Sequence, residues 1–170
     1  MAMMKDGLSR IVMAAAVLLA AVAPAAASAQ GLTFAAGTRL YGEGEESALV
    51  AAVRTEFPVG DALVLEFASS LADIPAGVDR ATGSVFELQL QLPFALGDAL
   101  APYVGAGVGV AYTRLGSAGN RLEPVLSLGA GARAMFTRQL GLTLDARLRG
   151  IGTEFDGEHS DVTLGLRYVP

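Results

Sequence analysis

The chain has 170 residues, 52% hydrophobic and 17% charged, with 12 basic and 17 acidic side chains giving a net charge of −5. That balance argues against nucleic acid or an anionic surface as partner, and the absence of cysteine excludes a disulfide framework or a thiolate metal site. The length suits one domain, and although the mean hydropathy is +0.47, no apolar run after the N-terminus approaches the roughly 18 to 20 residues of a membrane-spanning helix.

At the N-terminus Lys5 and Arg10 precede an apolar run over residues 11–23, followed by Pro24 and by Ala27, Ser28 and Ala29 before Gln30. A basic start, a short apolar centre and a small-residue exit predict a cleavable signal peptide over 1–29, with a mature domain over 30–170. The apolar run is too short for an anchor helix. Export without a later stop-transfer helix directs the chain to the periplasm, the outer membrane or the medium.

From Leu32 onward the sequence alternates with period two, the signature of strands with two unlike faces. Leu32, Phe34, Ala36, Thr38 and Leu40 alternate with Thr33, Ala35, Gly37, Arg39 and Tyr41, and a polar loop follows over 42–47. A second strand over 48–57 sets Leu49, Ala51, Val53 and Phe57 against Arg54 and Glu56, ending in a tight turn over 58–61. A third over 62–72 sets Leu63, Leu65, Phe67 and Leu71 against Val64, Glu66, Ala68 and Ser70, with a longer loop over 73–83. A fourth over 84–92 sets Phe86, Leu88, Leu90 and Leu92 against Val85, Glu87, Gln89 and Gln91, and turns over 93–99.

The most regular stretch runs over 101–136. Val104, Ala106, Val108, Val110 and Tyr112 alternate with Tyr103, Gly105, Gly107, Gly109, Ala111 and Thr113, and after a loop over 115–122 the pattern resumes through Leu126, Leu128, Ala130, Ala132, Ala134 and Phe136. A short connection over 137–141 leads to Leu142, Leu144, Ala146 and Leu148, set against Thr143, Asp145, Arg147 and Arg149. After a polar loop over 152–160, the last strand sets Val162, Leu164, Leu166 and Tyr168 against Thr163, Gly165 and Arg167. Eight strands with longer and shorter connections in strict alternation predict an all-β fold, an eight-stranded antiparallel up-and-down transmembrane barrel.

Every mid-strand charge falls on one parity: Arg39, Arg54, Glu56, Glu66, Glu87, Arg133, Asp145, Arg147, Arg149 and Arg167. In a soluble periplasmic ligand-binding barrel that parity would face water outside, whereas in an outer-membrane barrel it faces the lumen. The glycines Gly105, Gly107, Gly109, Gly129 and Gly131 share it. On a soluble exterior they would only weaken strands; in a narrow lumen they would leave room for long arginine and glutamate side chains. Six arginines facing four acids are expected to pair and fill the bore, because an unpaired buried charge is costly. A narrow pore is the alternative. Aromatic residues also gather toward strand ends, with Phe34, Phe57, Phe94, Phe136 and Tyr168 toward one rim and Phe86, Tyr112 and Phe155 toward the other, as interfacial girdles do.

The run from Pro102 to Thr113 and the closing Val162-Thr-Leu-Gly-Leu-Arg-Tyr168 resemble strands of the small eight-stranded outer-membrane barrels, the group of the OmpA N-terminal domain, OmpX and the opacity proteins. The resemblance spans the whole mature chain. It implies a monomer in the outer membrane, contacting membrane lipid and lipopolysaccharide, with a structural or surface-interaction role. It also implies passage through periplasmic chaperones to the barrel-assembly machinery, whose signal would be Val162, Leu164, Leu166 and Tyr168. In that group the closing strand usually ends on an aromatic residue; here Val169 and Pro170 follow Tyr168. A peptidoglycan-binding domain has no counterpart.

Two constellations invite chemistry. Alternation continues through Gly105 to Gly109, whereas a phosphate loop needs a strand that ends at the glycines and a helix that begins there. His159, the sole histidine, adjoins Ser160 and nearby acids, a loose likeness to lipid A-modifying barrel enzymes. Adjacent residues of an extended chain diverge, so a solvated loop is expected there instead of a hydrolase site. Glu43, Glu45 and Glu46, with the acids around His159, form acidic patches without a fixed calcium-ligand spacing. No catalytic residue, cofactor or resident metal is expected.

Overall fold

Period-two alternation over eight segments gives eight strands. The computed structural model describes residues 31–42, 46–74, 81–94, 96–97, 99–114, 119–155 and 157–170, so the expected signal peptide and the acids Glu43 and Glu45 lie outside the described residues. The strands are β1 (Gly31–Tyr41), β2 (Glu46–Val59), β3 (Leu63–Ile74), β4 (Ala81–Pro93), β5 (Leu100–Arg114), β6 (Asn120–Met135), β7 (Leu140–Ile151) and β8 (Gly157–Tyr168). Each pairs antiparallel with its sequence neighbour, and β1 pairs with β8 from Leu32↔Tyr168 to Tyr41↔His159, closing the sheet. Closure leaves no unpaired edge, the condition for a sheet to cross lipid.

Two expectations need correction. The segment 152–160 is not all loop, because β8 starts at Gly157 and pairs with β7 through Arg149↔His159, Gly150↔Glu158 and Ile151↔Gly157. Backbone pairing does not depend on side-chain polarity, so polar residues at a barrel end mark contact with water and not the end of the ladder. Nor do long and short connections alternate strictly. They occupy 42–45, 60–62, 75–80, 94–99, 115–119, 136–139 and 152–156, so 94–99 has as many residues as 75–80. At this connection Leu96 N–H donates to Leu100 C=O at 2.9 Å and Phe94 N–H to Pro102 C=O at 2.7 Å. The tightest turn, 60–62, uses Gly60 at φ +65°, a conformation a side chain rarely adopts.

The two faces differ as lipid and lumen require. Val108, Leu128, Leu148 and Leu164 are exposed on the outside, about 55 to 63% of each accessible. Inside the end opposite the termini, Val85, Ala111, Val125 and Ile151, on four consecutive strands, form an apolar cluster. Val85 pairs with Ala111 and Val125 with Ile151 across neighbouring strands. Below that cluster the interior is polar.

Candidate functional site: the charged lumen

Strand register sets the lumen's layers. Nearest the apolar cluster, the Arg39 guanidinium donates to both Asp161 oxygens at 2.7 and 2.9 Å and to Ser70 Oγ at 3.0 Å. Arg149 also donates to Asp161, and reaches Glu87 Oε2 at 2.9 and 2.5 Å. In the middle layer Arg147 pairs with Glu66, donates to Asp145 Oδ1 at 2.8 Å and lies 3.6 Å from Glu87. Asp145 further accepts from Tyr103 Oη at 2.5 Å and meets Arg54 at 2.9 Å, while Arg54 donates to Thr163 Oγ1 at 2.6 Å. Toward the termini Arg133 donates to Glu56 at 3.2 Å and to Gln91 Oε1, and Arg167 pairs with the same Glu56. Gln91 joins the layers by donating to Glu66 at 3.0 Å and to Gln89 Oε1 at 2.8 Å.

All ten charged residues singled out from the sequence line this interior, and nine of them are buried; Arg167 is slightly accessible. Asp161 makes the acids five and not four. It is one of the acids near His159, yet it is buried on the inward parity of β8 and holds two arginines. Tyr103, Gln89 and Gln91 were also overlooked as network members. The Arg133 guanidinium lies 4.1 Å above the Tyr103 ring, a cation–π contact that adds to its ion pair.

The glycines make room, though partly for other neighbours than expected. A Cβ on Gly131 would fall 2.5 Å from Tyr103 Oη and 2.4 Å from the Leu144 carbonyl oxygen. On Gly129 its nearest contact, at 2.5 Å, would be only the Gln89 amide nitrogen. Gly131→Ala is therefore expected to cost about 1 to 3 kcal/mol, because a backbone atom cannot yield, and Gly129→Ala clearly less, because an amide can rotate away. Urea titration of the two refolded variants checks the order.

His159 is also corrected. It lies in β8, half-buried, with its ring edge-on to Tyr41 at 4.6 Å between centroids. Among the described residues its Nδ1 has no hydrogen-bond partner, and Ser160 occupies the outward parity, so no serine–histidine pair is assembled there. Among the described residues no group of three or more histidine, aspartate or glutamate side chains is placed to hold a metal ion. Val162, Leu164, Leu166 and Tyr168 form the exposed outer face of β8.

A closed eight-stranded sheet, apolar outside and ion-paired inside, defines a small transmembrane β-barrel of the outer-membrane type. Comparison with known proteins agrees at the level of the fold. Neisserial surface protein A aligns with a TM-score of 0.68 at 12% identity, over 82% of this chain and 96% of that one. The N-terminal β-barrel domain of Pseudomonas aeruginosa OprF gives 0.58 at 22% identity, over 82% and 97%. The outer membrane enzyme PagL gives 0.54 at 16% identity, over 82% and 99%. No family model matches the chain, and no curated protein matches it by sequence.

Proposed function

We propose that the protein is an integral outer-membrane barrel, delivered by its signal peptide, that acts through its surface as a structural or interaction protein and does not conduct. The end carrying both termini, which also has the shortest connection, would face the periplasm. The observation that carries this reading is the ion-paired lumen: among the described residues, every buried arginine and acid meets an opposite charge within 3.2 Å. Side chains so held fill an eight-stranded bore. Membrane lipid and lipopolysaccharide would contact the exterior, and the outer face of β8 would present the assembly signal. A catalytic role is not proposed, although the fold also carries an enzyme in PagL.

In planar bilayers the purified protein is expected to give no reproducible current steps. Reproducible steps whose size changes on Arg54→Ala would overturn the closed lumen. The competing narrow-pore reading draws on one feature: Arg54 Nε and Nη1, and the hydroxyl of its register partner Thr33, have no hydrogen-bond partner among the described residues. Membrane insertion is tested separately. The protein should fractionate with outer membranes and change gel mobility on boiling; recovery as detergent-free soluble protein would refute it.

A further inference from the structure

Among the described residues, the luminal charges are balanced layer by layer except at one place. Around Asp161, two arginines (Arg39, Arg149) meet two acids (Asp161, Glu87), and in the middle Arg54 and Arg147 meet Glu66 and Asp145. At the mouth beside the termini, however, Arg133 and Arg167 share the single carboxylate of Glu56. The surplus positive charge of the lumen is therefore concentrated there. Those three residues line a cavity of about 360 Å³ together with Arg138, which is exposed on the 136–139 connection.

We infer that this mouth is a binding site for an oxyanion, a phosphate or carboxylate group held by Arg133, Arg167 and Arg138. One carboxylate cannot neutralise two guanidinium groups, and a third guanidinium borders the same space. Arginine presents forked donors that match such anions in two-point contacts. Arg133 is also fixed in advance, by Glu56, by Gln91 and by the Tyr103 ring beneath it, so little ordering is required on binding. The volume suits a small ligand or a headgroup. The site is separate from the sealed region, which lies deeper and toward the other end, and does not depend on whether the barrel conducts.

The test uses the purified protein in phosphatidylcholine nanodiscs, titrated with inorganic phosphate against chloride at constant ionic strength, with arginine Nε–Hε resonances as the readout. Saturable shifts at Arg133 and Arg167, seen with phosphate and not with chloride, are expected. Arg138→Ala should weaken phosphate about five-fold, the scale of one partly exposed charge contact. Glu56→Gln, by removing the competing carboxylate, should tighten it; Arg138→Ala keeps the test valid if Glu56→Gln fails to fold. Absence of saturation, equal shifts with chloride, or unchanged affinity in Arg138→Ala would overturn the site. With phosphate binding established, adding phosphatidylglycerol identifies the source. Loss of free phosphate binding means that a lipid headgroup occupies the site, and unchanged binding means a soluble anion.

Discussion

Arg147→Met is expected to destabilise the barrel by about 3 to 5 kcal/mol, the cost of leaving buried charges without their partner. Arg147 is 1% exposed and lies among Glu66, Asp145 and Glu87, so its removal leaves three carboxylates facing one another beside a methionine. Arg54 and Arg149 still reach Asp145 and Glu87, whereas among the described residues Glu66 keeps only the Gln91 amide. The prediction therefore extends to a double variant. Glu66→Gln should cost less in the Arg147→Met background than in the parent, because it removes a charge that no longer has a counterpart. Urea unfolding of all four proteins in one detergent, followed by the loss of the compact gel band, measures both effects. A cost below about 1 kcal/mol for Arg147→Met would mean that water reaches this layer freely.

Val108→Arg tests the outer face. Val108 is 57% exposed, lies in the middle of β5 and is flanked by Leu88 and Leu126 on the adjacent strands. An arginine at mid-depth on a lipid-facing position costs about 2 to 4 kcal/mol. The same substitution on a water-exposed strand would cost almost nothing, so one measurement of unfolding in phospholipid vesicles separates a membrane face from a soluble one. A fully folded, unperturbed variant would reverse the assignment of the faces.

The fold was legible because a membrane barrel places each strand between two unlike surroundings, and period two is the unavoidable record of that. Phe86, Leu88 and Leu90 against Val85, Glu87 and Gln89 show it within six residues. Asp161 escaped because the last strand was taken to begin at Val162 and the acid was grouped with those around His159; carrying the parity of Arg167, Gly165 and Thr163 two residues further would have placed it inside. Tyr103, Gln89 and Gln91 carried the same parity signal but no charge to draw notice. Which arginine meets which acid was not legible at all. Partners such as Arg147 and Glu66, 81 residues apart, meet across the lumen according to the stagger of the closed sheet, which alternation does not encode.

The pairing pattern bears on how such a chain becomes a barrel. β1 to β4 contribute Arg39, Arg54, Glu56, Glu66 and Glu87, whereas β5 to β8 contribute Arg133, Asp145, Arg147, Arg149, Asp161 and Arg167, so the first half is luminally acidic and the second basic. Most of the ion pairs join one half to the other, up to Arg39 with Asp161, 122 residues away. Either half alone lacks the partners of most of its luminal charges. Drying of the interior is therefore expected to coincide with arrival of the last strand, since a chain halted short of β8 would leave Arg39 without Asp161 and the wall open.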